Sequence, residues 1–345
     1  MAKLFSKLGY VSRVLSGVRL EELNKSLEKA KERSGRNKAS LFLDMLWCSV
    51  RYGAGYHDYV MFGFYDMDGK HRDTYVTRLR NKKLITTVND PETAEIFDHK
   101  VKFNPRFREY LGRDFLVVED MTLEQFKEFV SDKEKIFCKP DVGESGKGIA
   151  RLAKADFESE EAMFRYIKEG GFGVIGEMLV QHDAMNKLYP GAVNSMRIVT
   201  LLVGAPGHYT PQLIYAVVKI GAGGKYVDNL ENGGMFCPID YETGKITGVG
   251  HTSALTTLDK HPDTGVPLIG YQIPYVKEAI ELCKKAALEE PGMRLVGWDC
   301  AITPNGPAII EGNDYPGYDF WQQPEHTPDR IGLWHVYKEL VPELK

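Results

Sequence analysis

The apolar positions of this chain change period along its length. Residues 20–53, "LEELNKSLEKAKERSGRNKASLFLDMLWCSVRYG", keep a helical period and predict two helices broken at Ser34-Gly35. The first is charged on most faces; the second carries a wide apolar stripe including Leu41, Leu43, Met45, Leu46 and Val50. Residues 56–90, rich in aromatic and β-branched side chains between turn signals, predict short strands and loops. "NDPETAEIFDHKVKFNPRFREYLG" then predicts a helix that Asp90-Pro91 starts. Beyond it the pattern predicts strands at 115–118, 135–139, 147–153, 174–180, 194–203, 211–219, 234–239, 296–303 and 307–312. Helices are expected at 122–131, 158–168 and 272–288. Long strands joined by glycine-rich turns, with few helices between them, imply α+β lobes rather than one doubly wound sheet.

Two stretches of this pattern carry chemistry. In "VGWDCAITPNGPAIIEGNDYPGYD", residues 296–319, a Pro-Asn-Gly turn at 304–306 joins two apolar strands. Folding about that turn brings Asp299 opposite the Glu311 region, and strand period puts Glu311 and Asn313 on one face. Two carboxylates and an amide oxygen are hard donors suited to magnesium shared with phosphates. The other reading is a pair of hydrogen-bonded structural acids, costly in an apolar hairpin unless paired.

"IFCKPDVGESGKGIARL", residues 136–152, crowds glycine and serine around Lys147. It lacks the hydroxyl of a phosphate loop of the form G-x-x-x-x-G-K-[ST], because Gly148 follows Lys147. Arg151 stands where a dinucleotide fingerprint needs its third glycine. What remains is a glycine hairpin between strands, either a plain turn or a lid whose backbone N–H groups converge on an anion.

Composition narrows the class. The 345 residues carry a net charge of -4, which supplies no basic field for nucleic acid. No apolar run approaches the roughly 20 residues of a membrane span, and Lys3, Lys7 and Arg13 interrupt any leader-like stretch. Five cysteines without a CxxC pair suit reduced thiols in a cytoplasm, and the nine histidines form no zinc motif. Up to Lys38 there are ten Lys/Arg against four Asp/Glu. That basic amphipathic start suits either peripheral membrane contact through residues 1–20 or a helix packed on its own domain.

Taken in order, these segments resemble the ATP-grasp superfamily: an early lysine, Lys-Pro with a glycine-rich lid, a Glu-containing hinge, a strand arginine and a closing Asp…Glu-x-Asn. "VNSMRIVTLLV" and "KYVDNLENGGMFCPIDYETGKI" are similar to its sugar-transfer-associated branch and α-glutamate-ligase-like relatives. The resemblance implies an α+β ATP-grasp fold, two lobes clasping ATP, with an additional N-terminal helical and mixed lobe. The expected division is 1–110 for that region, 111–182 for the lid lobe and 183–345 for the C-terminal lobe with the magnesium site.

By the same resemblance, Lys100 (with Lys102 as competitor) and Lys139 contact ATP. Gly143, Ser145, Gly146 and Gly148 form the lid, Glu177, Met178, Leu179 and Val180 the adenine hinge, and Asp183 is the ribose candidate. Arg197 and Lys219 are the catalytic cations, Asn229 matches an asparagine before Gly233-Gly234, and Asp299, Glu311 and Asn313 hold Mg2+, with Mn2+ an alternative. The implied activity is ATP-dependent joining of a carboxylate and an amine through an acyl phosphate, on a surface-polysaccharide or amino-acid-like substrate. Phosphoryl transfer to another acceptor and a non-catalytic ATP-binding module are the competing readings. No nucleic-acid partner is implied, and a homodimer stays open.

Overall fold

The structure is a computed structural model that describes residues 20–143 and 148–344. The expectations for residues 1–19, and for Ser145 and Gly146 of the lid, lie outside the described residues. The chain divides into two compact units, 1–88 with 317–345, and 89–316. The C-terminal residues thus return to the first unit.

In the first unit, α1 (Leu20–Ser34) and α2 (Lys38–Tyr52) are the two expected helices. Asn37 caps α2 through Ser40 N, and Gly53 ends it with a left-handed φ of 68°. The strands expected over 56–90 are instead short helices: α3 (Tyr56–Met61), α4 (Gly69–Arg72) and α5 (Arg78–Val88). Asp68 caps α4 by accepting from Lys70 N and His71 N. The aromatic residues that suggested strands form the core of this unit, where Phe62, Phe64 and Tyr75 are fully buried in mutual ring contact. Burial in a helical core has overridden their β propensity.

The second unit begins with α6 (Pro91–Asp98), capped by Asp90, and α7 (Lys100–Arg106), two helices where one was expected. The break at His99 has a local cause. Its backbone is extended, and its Nδ1 lies 2.5 Å from Asp141 Oδ2.

A four-stranded antiparallel sheet follows, with order β1 (Phe115–Val117), β4 (Val174–Glu177), β2 (Lys135–Lys139), β3 (Ala150–Ala153). Helices α8 (Leu123–Val130) and α9 (Glu160–Glu169) cover it through Phe126, Val130, Met163 and Ile167. A short α10 (Asp183–Leu188) then leads to the second sheet.

That sheet has seven antiparallel strands, in the order β11 (Gly306–Asn313), β10 (Leu295–Thr303), β5 (Ser195–Val203), β6 (Thr210–Ile220), β7 (Met235–Pro238), β8 (Gly250–Thr252), β9 (Thr257–Leu258). Its long strands fall close to the predicted ranges; β8 and β9 carried no readable signal. One face packs on α11 (Val276–Ala287), burying Met196, Ile198, Val218, Cys300 and Ile309. The five cysteines are all buried free thiols. No helix among the described residues is long and apolar enough to cross a membrane.

Candidate functional site

The other face of the seven-stranded sheet carries a charged row. Ladder pairing sets Ser195 opposite Lys219, Arg197 opposite Asp299, and Asp299 opposite Glu311, so side chains from β6, β5, β10 and β11 line up. Arg197 donates from Nε to Asp299 Oδ1 at 2.6 Å and from Nη2 to Oδ2 at 3.1 Å. Lys219 Nζ bridges Asp299 Oδ2 at 3.1 Å and Asp228 Oδ1 at 3.3 Å. Asp228 also accepts from Ser195 N and Oγ, which anchors the 221–234 loop to the sheet.

Burial alone would push the Asp299 carboxyl up, but Arg197 and Lys219 hold it well below the usual carboxylate range. Glu311 differs: it is half-buried and makes no hydrogen bond or ion pair among the described residues. A bulge in β11 shapes this corner. Asp299 pairs with Glu311 but Cys300 pairs with Ile309, leaving Ile310 as the extra residue. Ile309 thereby enters the core while Glu311 faces the cleft.

The four-stranded sheet supplies the opposite wall. Lys139 ends β2 with no anionic partner among the described residues. Burial pushes its ammonium down to about 8, with Arg113 adding repulsion and Glu311 opposing it. Arg113 is fixed by backbone: Nη1 donates to Leu111 O at 2.9 Å and Ile309 O at 2.8 Å, Nη2 to Ile310 O at 3.3 Å. Lys100 Nζ donates to Gly143 O at 3.1 Å and ties down the entry of the glycine-rich loop. Asp141 adds to that tether, accepting from Val101 N at 3.0 Å. At the loop's exit Gly148 has a φ of 74°, a conformation that favours glycine. Lys102 pairs with Glu95 on the surface and lines neither cavity described next, so the lysine at the cleft is Lys100.

Two adjoining cavities open between the sheets, with about 990 and 980 Å³ of empty space. Phe137, Ile149, Met178, Leu179 and Tyr226 give the first an apolar end. Among the described residues, the backbone of Met178, Leu179 and Val180 makes no hydrogen bond, leaving donors and acceptors open beyond the end of β4. Arg151 from β3 stacks over Tyr226 at 5.1 Å across this cavity. The second cavity is polar and lined by Arg197, Asn104, Asn313, Asp98 and Asp314. Lys100, Lys139, Gly143, Asn229, Asp299 and Glu311 line both, so the two meet at the charged row.

Most of the predicted residues therefore converge. Four of the described ones do not line either cavity, Gly148 at the loop's exit among them. Val180 is exposed; Asp183 lies on the exposed start of α10, where buried Gln181 turns the chain and His182 caps the helix. Lys219 is 3% exposed and clamped between two carboxylates, so it positions Asp299 from within the sheet rather than facing the cleft.

The residues missed were Arg113, Asp228 and Asn104. Arg113 finds the carbonyls of β11 about two hundred positions away, and no local pattern marks such a partner. Asp228 stood beside Asn229 in "VDNLENGG", but its acceptor role depends on Ser195 and Lys219 in other strands.

The donor set fits a hard divalent cation. Among the described residues Glu311 makes no hydrogen bond or ion pair, and Asn313 donates only its Nδ2, to Gly297 O at 3.0 Å, and so leaves its Oδ1 available, while Asp299 lies across the ladder from Glu311. Among the described residues there is no cluster of three or more His, Cys, Asp or Glu that could hold a metal ion.

No curated protein sequence matches the chain. Among solved structures it is similar to the ATP-grasp ligase PsnB complexed with a phosphomimetic variant of a minimal precursor, Mg and ADP. The identity is 14% and the TM-score 0.42, over 75% of this chain and 62% of that one, so less than two thirds of PsnB is spanned. It is also similar to D-alanyl-alanine synthetase A from Vibrio cholerae, at 15% identity over 74% and 68% of the chains with a TM-score of 0.42. D-cycloserine synthetase DcsG matches at 12% identity over 75% and 74%, with a TM-score of 0.39. The family model for sugar-transfer associated ATP-grasp proteins matches residues 79–328, and the chain belongs to that family.

Proposed function

We propose that the chain is an ATP-dependent carboxylate–amine ligase that forms an amide bond through an acyl phosphate. The observation that carries this reading is the junction of the two cavities. There Lys139 and Lys100, with Arg113 on the wall of the first cavity, surround Glu311, which makes no hydrogen bond or ion pair among the described residues, and a second, polar cavity opens beside Arg197. The cations Lys139, Lys100 and Arg113 around this cleft suit a polyphosphate. The apolar end, with its unbonded backbone at 178–180, suits the adenine edge and face.

Glu311, Asp299 and Asn313 would hold Mg2+, which when bound supplies charge neutralisation at the phosphate oxygens. The remaining work belongs to the chain's own groups. Lys139 and Arg113 bind the phosphates, and Lys100 keeps the loop entry in place. Asp299 holds the Arg197 guanidinium in the sheet face at the second cavity, where it can neutralise a carboxylate or a moving phosphoryl group. The substrate carboxylate attacks the γ-phosphorus, ADP leaves, and an amine displaces phosphate from the acyl carbon. Gly143 and Gly148 flank the loop that would exclude water from the acyl phosphate.

The test is an ADP-release screen of carboxylates and amines with mass analysis of products. ADP and free phosphate formed only when both partners are present support the ligase. Phosphate retained on a product indicates phosphoryl transfer, and ATP binding without turnover indicates a binding module.

A further inference from the structure

Helix α7 does not cap itself. Its N-cap residue, His99, makes no side-chain hydrogen bond to the helix start, and His99 O accepts from Lys102 N and Phe103 N. The first two amides, Lys100 N and Val101 N, are donors that no helix satisfies internally. Both go to Asp141, at the entry of the glycine-rich loop. Its backbone oxygen accepts from Lys100 N at 3.1 Å, and its Oδ1 accepts from Val101 N at 3.0 Å. The imidazole of His99 holds the cap instead of the helix, with Nδ1 2.5 Å from Asp141 Oδ2.

Asp141 is fixed from the other side as well. Lys139 O accepts from Gly173 N at 2.9 Å, and a Cβ on Gly173 would lie 2.7 Å from Asp141 N, Cα and Cβ. Only a bare glycine lets the start of β4 lie so close. Burial pushes the Asp141 carboxyl up, but the His99 imidazole and Val101 N hold it below the usual carboxylate range. Asp141 also stands midway between Lys139 and Gly143, which line the junction of the two cavities together with Lys100. Lys100 Nζ in turn donates to Gly143 O at 3.1 Å and to Asp141 O at 3.4 Å. One residue thus joins the end of β2, the entry of the loop and the helix start that carries Lys100.

We propose that Asp141 is a positioning residue for phosphate binding: by capping α7 across the fold, it holds Lys100, Lys139 and the loop entry in the one arrangement that meets a polyphosphate. The assignment rests on the nucleotide part of the ligase reading above. A cap that served helix stability alone would affect every ligand of the first cavity alike. This one acts at the phosphate end and spares the apolar end at Met178 and Leu179.

Calorimetry of the protein with Mg2+ provides the test, by direct titration of ATP and by displacement for adenosine, with no second substrate present. Asp141→Ala raises the dissociation constant for ATP about tenfold and leaves that for adenosine within about twofold. Asp141→Asn keeps a side-chain oxygen for Val101 N and recovers most of the ATP affinity. His99→Ala removes only the imidazole contact and raises the ATP constant about threefold, which reads out even where Asp141→Ala fails to fold. An ATP-to-adenosine ratio that stays at its wild-type value in folded Asp141→Ala, or in His99→Ala where the other does not fold, overturns the assignment and leaves the nucleotide site standing. Wild-type protein that binds ATP no better than adenosine overturns the nucleotide reading too.

Discussion

Lys139 is the residue whose charge is most exposed to pH. Burial holds its pKa down to about 8. A lysine shifted this way binds fewer protons when folded than when unfolded between that value and its ordinary one. The empty protein therefore gains stability as pH rises through that window, and below it the buried charge costs stability. Phosphate binding needs the charged form, so kcat/KM for ATP is expected to fall above about 8. Lys139→Arg, charged throughout, should remove that limb; a limb that persists assigns it to another group. The two cleft carboxylates divide in the opposite sense. Glu311→Gln removes a carboxylate that makes no hydrogen bond or ion pair among the described residues, so it should cost much less stability than the loss of Asp299 while magnesium-dependent turnover is lost. Asp299→Asn leaves Arg197 and Lys219 buried without their shared counter-charge, and should cost about 3–5 kcal/mol in denaturant unfolding. Equal losses of stability in the two variants would refute the division.

At the scale of elements, the hairpin β10–β11 and the helices resting on it set the site. Gly312→Ala forces the Phe97 and Phe103 rings away from β11, from contacts of 2.8 and 3.0 Å. Such overpacking should cost about 1–3 kcal/mol in urea unfolding, whereas a neutral result would mean that α6 and α7 yield freely. This hairpin was legible in the sequence because the Pro304-Asn305 turn fixes its register, and the register alone puts Asp299 opposite Glu311. The long strands were legible for a similar reason, since β-branched runs between glycine and proline have little alternative. The bulge at Ile310 was not legible, because residues 309 and 311 share a parity yet face opposite sides. Nor were Asn104 and Arg113, whose surroundings come from strands far along the chain. Residues 56–90 misled outright: their helices are short, and their aromatic residues were selected by a core that local propensity cannot see.

For the whole molecule, the division into units shows that the helical region is not closed by the N-terminal residues alone. The chain leaves it at Val88 and returns at Gly317. The returning segment is tied in by buried polar contacts: Gln322 accepts from Val76 N at 2.8 Å, and Tyr318 donates from its hydroxyl to Asp58 Oδ1 at 2.6 Å. Asp58 is 1% exposed, and burial raises its pKa even though Tyr318, Arg78 N and Gly55 N all donate to it. A carboxyl with a raised folded pKa binds its proton more readily when folded, so its contribution to stability declines as pH rises through the interval between the unfolded and folded values. Tyr318→Phe removes one donor to the charged form and should cost about 1–3 kcal/mol near neutrality. The deficit should shrink on acidification as Asp58 takes up its proton. Three of the four tryptophans, Trp47, Trp321 and Trp334, belong to this unit, so tryptophan fluorescence during urea unfolding at several pH values reports on it. A deficit that stays constant or grows as the pH falls would mean that the tyrosine holds the C-terminal segment by packing, and that the charge on Asp58 takes no part in closing the unit.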